Sequence, residues 1–315
     1  MRIRLRDATI VVVVTAAVST VLSLAVQPTS GQVAGYQAPR LPGTKNPDLS
    51  GIWQALNTAN WDIQTHAARP ALAVVRGPGG DVPAAPGLAL GAVGGVPGGL
   101  GVVEGNEIPY QPWAAAKKKE NFENVLTRDP EVECYLPGLP RATYLPYPFQ
   151  IIQSTNKIMV AYEYAAANRT IHMDKVPPPP DDSWMGHSVG HWEGDTLVVD
   201  VTNLLEQTWF DRAGNFHSDA LHLVERFTPI SPYHLMYEVT IEDPKVFTRP
   251  WKMRMPLYRR LDQNVQLVEY KCVEFVEELM YGHLRKQQLV RRWESPTLIV
   301  DITRRVPPLD KLYER

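Results

Sequence analysis

The feature that most constrains this chain is a series of short β-forming runs that begins at Phe149. Residues 149–154, 157–164 and 169–174 are rich in β-branched and aromatic side chains, with turn formers between them. Residues 188–192 and 196–202 flank Glu193-Gly194-Asp195, the clearest hairpin signal in the sequence. Residues 221–227 and 234–242 form a second hairpin through Pro229-Ile230-Ser231-Pro232, and 250–260 and 265–272 a third through Leu261-Asp262-Gln263-Asn264. In the third, Trp251, Met253, Met255 and Leu257 fall on one face and Lys252 and Arg254 on the other, the alternation of half-buried antiparallel strands. About eight strands without a βαβ rhythm predict a mainly β fold, an antiparallel meander closing into a barrel or sandwich. Helical spacing predicts a short helix at 113–126, through Trp113, Ala116, Phe122 and Leu126. A second is expected near the C-terminus at 274–292, through Phe275, Leu279, Met280 and Leu284.

The N-terminus says where this fold is built. Arg2, Arg4 and Arg6 precede an uncharged Val/Ala/Leu run over 8–26, which Gln27-Pro28 ends and the small residues Thr29-Ser30-Gly31 follow. Basic, apolar and small-residue parts in that order read as a secretory signal. The alternative is an uncleaved membrane tether through 8–26, since about nineteen apolar residues approach the roughly twenty that span a bilayer. The arginines would then stay inside. Both readings export the rest of the chain, to the periplasm or the cell exterior. The expected organisation is a signal peptide or anchor at 1–31, a linker at 32–46 and a single β-rich domain at 47–315. That domain carries a Gly/Ala/Pro-rich insertion at 77–105, expected as a surface loop with few large side chains to bury. Its apolar character leaves open a lid or ligand-facing role. Pro130 to Pro148 reads as an extended, ordered connector.

Composition excludes several functions. A net charge of −2 provides no electrostatic footprint for nucleic acid. The one basic run, Lys117-Lys118-Lys119, sits beside Glu120 and Glu123 and suits a solvated helix face. No Gly-x-Gly-x-x-Gly unit, Walker motif or Gly-x-Ser-x-Gly elbow occurs, so no nucleotide cofactor or α/β-hydrolase chemistry is expected. No metal site is expected either. His217 and His222 are five apart, opposite faces on a strand, and the glycines around His187-x-x-x-His191 disfavour a metal-binding helix. The two cysteines, Cys134 and Cys272, suit one disulfide in an exported chain; the alternative is a pair of buried thiols.

Candidate chemistry concentrates in two places. In the 188–202 hairpin, His187, His191 and Asp200 share one face. With a Gly194-Asp195 turn Asp200 lies diagonal to both histidines, where a carboxylate could orient an imidazole base; the same face could equally be the wet one. The segment 209–217 mixes Trp209, Phe210 and Phe216 with Asp211, Arg212, Asn215 and His217, an apolar wall with a few orienting polar groups. Its bland reading is a turn with Trp209 plugging a barrel end. His222, Arg141, Tyr147 and Tyr162 complete the candidate ligand-binding set, since polar-tipped aromatics line lumens and cores alike.

Asp48-Leu49-Ser50-Gly51-Ile52-Trp53 resembles the Gly-x-Trp opening strand of lipocalin-type barrels. Together with Cys134-Tyr135-Leu136-Pro137-Gly138, Trp192-Glu193-Gly194-Asp195-Thr196-Leu197-Val198-Val199-Asp200, the 221–227 run and Asp243-Pro244, it resembles a group of uncharacterised exported bacterial proteins. The resemblance spans most of the chain beyond the export segment. It implies export and a β-rich, lipocalin-like fold and carries over no activity. His191 stands where that group has various polar residues.

Two functions follow as expectations. One is an exported barrel that binds a small apolar or amphipathic molecule in its lumen or mouth. The other is a cofactor-independent acid–base lyase, isomerase or hydrolase, with His191 or His217 as base and Asp200 or Asp211 orienting it.

Overall fold

The computed structural model describes residues 36–70, 74–77, 79–83, 95–270 and 272. The export segment and the expected helix at 274–292 lie outside the described residues. Within them, no helix is long and apolar enough to cross a membrane.

Nine strands close into a barrel. They are β1 (Gly51–Ala55), β4 (Phe149–Gln153), β5 (Lys157–Tyr162), β6 (Asn168–His172), β7 (His187–Glu193), β8 (Thr196–Thr202), β9 (His222–Ser231), β10 (His234–Glu242) and β11 (Trp251–Arg259). A separate two-stranded sheet pairs β2 (Val74–Gly77) with β3 (Gly80–Pro83). Closure falls to β1, which pairs antiparallel with β11 on one side and β4 on the other. Every barrel junction is antiparallel except β6–β7, where Ile171 and His172 run parallel to Ser188 and Val189. An up-and-down lipocalin barrel has eight strands; here there are nine, with one parallel junction.

Alternation sets the inside. On β11 Trp251, Met253, Met255 and Leu257 point inward as the sequence pattern requires, while Lys252 and Arg254 are exposed. The β7–β8 hairpin turns through Gly194-Asp195, pairing Glu193 with Thr196 and Val189 with Asp200. Gly194 adopts φ 60° there, the left-handed conformation that two-residue hairpin turns demand. A buried ion pair breaks the apolar rule inside. Glu225 is fully buried, and Arg169 answers it across the lumen at 2.6 Å with the Tyr237 hydroxyl donating at 2.7 Å.

The third expected hairpin does not form. Residues 265–270 make no ladder; β11 instead pairs with β10 and β1, and Tyr270 bridges Tyr164. The polar alternation of 265–272 lacks a free sheet edge, because β1 already occupies that side of β11. The expected helix is present as α1 (Pro112–Glu123) followed by α2 (Val125–Arg128), but its buried face differs. Ala114, Asn121 and Val125 are buried, whereas Trp113 is 55% and Phe122 37% exposed. The close approach of the 209–217 segment selects small or polar residues on that face, with Asn121 Nδ2 reaching the Gly214 carbonyl at 3.4 Å. Within the connector, 141–144 closes a helical turn, α3 (Arg141–Tyr144), rather than staying extended. The far end of the glycine-rich insertion is also pinned, with Val96 and Gly99 bridging Arg69 and His66.

The register places the β7–β8 and β9–β10 turns at one barrel end, where residues 38–50 cross and Arg40 meets Asp195 at 2.5 Å. At the other end the connector 129–148, the loop 56–63, the segment 203–221 and the turn 243–250 form a plug.

Candidate functional site

The lumen is filled. Its cavity, lined by Phe149, Ile158, Tyr162, Arg169, Leu197 and Phe227 among others, measures about 10 Å3, the room of one water. Tyr162, a candidate ligand contact, faces this packed interior, and its hydroxyl lies buried without a hydrogen-bond partner.

The 209–217 segment is the plug itself. Trp209 bridges Phe216, the Phe210 amide donates to the Asn215 carbonyl at 2.8 Å, and Phe210 meets Trp251 edge-on at 5.7 Å. Asp211 Oδ1 accepts the amides of Ala213 (2.9 Å) and Asn215 (3.1 Å). Its Oδ2 accepts the Ile63 amide (2.9 Å) and Asn215 Nδ2 (2.6 Å). Burial, with Asp62 beside it, pushes the Asp211 carboxyl up to about 7 against the pull of those donors. His217 is also buried, between the Thr208 hydroxyl (2.6 Å) and the Ser218 carbonyl (2.8 Å), and burial lowers its pKa.

Arg141 and Arg212 belong to the same buried assembly. Arg141 donates to Asp129 at 2.7 and 2.9 Å, to Glu131 at 2.5 Å and to Asn60 at 3.0 Å. Arg212 forks onto Glu131 at 2.9 and 2.7 Å and lies 4.3 Å over the Trp61 ring. Against the cost of burial, Arg212 and Arg141 hold the Glu131 carboxyl below its ordinary range, and the carboxylates raise Arg141 above its own. Two arginines thus partner Asp129 and Glu131 inside the plug. Tyr147 packs against Tyr164 and Tyr270 in tilted ring pairs, where burial raises its pKa.

The hairpin histidines lie on the outer face. His191 is 3.3 Å from Glu193 and over half exposed. Asp200 meets not His191 or His187 but His222 on the neighbouring strand at 3.3 Å, and the other nitrogen of His222 meets Glu242 at 3.2 Å. This partner cannot be seen within one hairpin, because His222 is the diagonal neighbour of Asp200 on β9, where its direct partner is Val224. His187 faces the proline loop, 3.2 Å from the Val176 carbonyl. His191, Asp200, His217 and Asp211 thus occupy separate places. Among the described residues no group of three or more His, Cys, Asp or Glu could hold a metal ion.

The cysteines do meet. Cys134 and Cys272 form a disulfide between residues 138 apart in sequence. Beside it lies an open groove of about 360 Å3, lined by Arg128, Pro130, Glu133, Tyr135, Trp184, Leu205 and Gln207. Its wall is a stacked pair: the Tyr135 and Trp184 rings lie 5.1 Å apart and 7° from parallel, with Tyr135 54% exposed. Strand pairing positions Trp184, because the Ser183 amide donates to Asn203 O at 2.9 Å and the Leu205 amide to Ser183 O at 3.1 Å. Outside the groove lining, Gly138, at φ 70°, lets the connector press on Thr208, where an added Cβ would come within 2.5 Å. Arg128 pairs with Glu120 at the rim. Sequence reading passed over Tyr135 and Trp184; an aromatic after the cysteine and another after the proline run were the available signals. A second groove, about 340 Å3, runs between Asn57–Ala59, Gly98–Val102 and Arg254–Pro256. No family model, no curated protein and no solved structure matches this chain.

Proposed function

We propose that the protein is an exported binding protein whose barrel is a solid scaffold and whose ligand lies in the groove at its plugged end. The observation that carries the reading is the stacked Tyr135–Trp184 wall in a groove of about 360 Å3. Pockets for small molecules span roughly 300–1,000 Å3, with apolar and aromatic walls and a few polar groups that fix orientation. Pro130 and Leu205 extend the apolar wall, while Arg128, Glu133 and Gln207 edge it with polar groups. A small flat molecule with an apolar face and a polar edge fits that chemistry. Of the two expected places, lumen and mouth, the small lumen cavity favours the mouth. The disulfide accords with an oxidising compartment, and the 1–31 segment supplies the address.

The test is an equilibrium titration with 8-anilinonaphthalene-1-sulfonate, a flat amphipathic probe, read by probe fluorescence and by quenching of tryptophan emission. Trp184→Ala and Tyr135→Ala should each weaken binding by about tenfold or more, the equivalent of about 1.4 kcal/mol. Unchanged affinity in both variants overturns the assignment.

A further inference from the structure

Cys134 stands between two residues that line the groove, Glu133 and Tyr135. Its backbone adopts φ 60°, a left-handed conformation uncommon for any residue with a side chain and retained only where the surroundings enforce it. Backbone hydrogen bonds hold the turn locally, from the Val132 and Glu133 amides to Asp129 O (2.9 and 3.4 Å), from the Cys134 amide to Glu131 O at 3.2 Å and from the Tyr135 amide to Pro130 O at 2.9 Å. The covalent restraint is the bond to Cys272.

Beyond β11 the chain returns along the outside of the barrel from Arg260 to Tyr270. Residues 261–264 and Val268 are exposed, and Val268 donates its amide to Glu163 Oε2 at 3.0 Å. Tyr270 then lies on Tyr147 (4.6 Å) and Tyr164 (5.5 Å). The Tyr164 hydroxyl in turn donates to Glu131 O at 3.0 Å, inside the turn that carries Cys134 and Tyr135. The disulfide therefore fastens an exposed strap to the turn that aims Tyr135.

We infer that the Cys134–Cys272 bond is a thiol-labile fastening that sets whether the groove can bind. The inference rests on the proposed binding site. Both cysteines are partly accessible, so a dithiol reductant can reach the bond. Its thiolate attacks one Sγ and forms a mixed disulfide, which its second thiol resolves. Two electrons and two protons pass to Cys134 and Cys272, which become thiols, and the donor becomes a disulfide. Freed, Cys134 relaxes out of the left-handed region, Tyr135 turns away from Trp184, and the strap lifts from Tyr147 and Tyr164.

The experiment compares the oxidised protein, the protein reduced with dithiothreitol, and the Cys134→Ser/Cys272→Ser variant. Each is titrated with 8-anilinonaphthalene-1-sulfonate and mapped by amide hydrogen exchange. Reduction should weaken probe binding by at least about tenfold. It should also speed exchange at 131–135 and 261–270 while β9 and β10 stay protected, and the variant should match the reduced form without reductant. Equal affinity, or unchanged exchange at 131–135, in the reduced protein and the variant overturns the fastening. If the oxidised protein fails to bind the probe, the binding reading falls by itself. Exchange at 131–135 and the emission of Trp184 then still decide the fastening.

Discussion

Replacing Arg141 with methionine tests the plug that closes the barrel end. Arg141 is fully buried, as is Asp129, and the guanidinium makes two hydrogen bonds to Asp129, one to Glu131 and one to Asn60. Charge-assisted hydrogen bonds contribute about 1.5–3 kcal/mol each, but bonds within one network do not add. Among the described residues, the substitution leaves the Asp129 carboxylate with the Glu131 amide, at 3.0 Å, as its remaining donor. Removing one partner of a buried pair costs about 3–5 kcal/mol, most of it from the charge left behind. For a domain stable by roughly 5–15 kcal/mol that is a large share. Urea denaturation at pH 7 should show the midpoint falling by about 1–2 M at an ordinary slope. Adding Asp129→Asn should recover part of the loss, because the stranded charge is gone. A shift below about 1 kcal/mol, or no recovery in the double variant, refutes a self-satisfied charge network.

Gly138→Ala should cost clearly more than about 1 kcal/mol, since both the φ of 70° and the Thr208 contact oppose a Cβ. Gly194→Ala, at similar φ in open space, should cost only about 1 kcal/mol; equal melting shifts would contradict the close approach. His217 titrates below its ordinary value because it is buried, so the unfolded chain binds more protons near pH 6. Its contribution is present above about pH 6.5 and is lost as pH falls through the folded-state pKa, by at most about 1.4 kcal/mol per pH unit. Asp211, raised to about 7, titrates in the same window with the opposite sign, so His217 is read from a difference. As pH falls from 8 to 5, urea midpoints should drop further in the native protein than in His217→Phe; identical pH profiles would contradict this contribution. Tyr162→Phe should leave probe affinity unchanged and stability within about 0.5 kcal/mol, because its hydroxyl faces the packed lumen unpartnered; weakened binding would return the ligand to the barrel interior. Cys134→Ser opens a loop whose ends are 138 residues apart, and the chain-entropy argument puts its cost at about 4–5 kcal/mol, measurable against the oxidised protein by denaturation.

The β elements were readable because a two-residue period carries burial directly. The inward set Trp251, Met253, Met255 and Leu257 and the Gly194-Asp195 turn follow from local pattern alone. The parallel β6–β7 junction was not readable, since nothing local in 173–186 states on which side the next strand returns. The disulfide was suggested by cysteine count and the export segment, and the structure forms it. The site was harder. Asp211, Arg212 and His217 have the composition of a binding loop, yet their partners Ile63, Glu131 and Thr208 come from distant segments. That tertiary pairing turns chemically interesting residues into structural ones. Tyr135 and Trp184 lie 49 residues apart and become a wall only when Ser183 pairs beside Leu204.

A structure of the oxidised protein with a bound flat amphipathic ligand would locate the binding place itself. Ligand density is expected against Tyr135 and Trp184, with its polar edge toward Arg128, Glu133 or Gln207 and the barrel interior unchanged. Density inside the barrel among Phe149, Tyr162 and Phe227, or in the groove beside Gly98–Val102 with none on the aromatic pair, would contradict it.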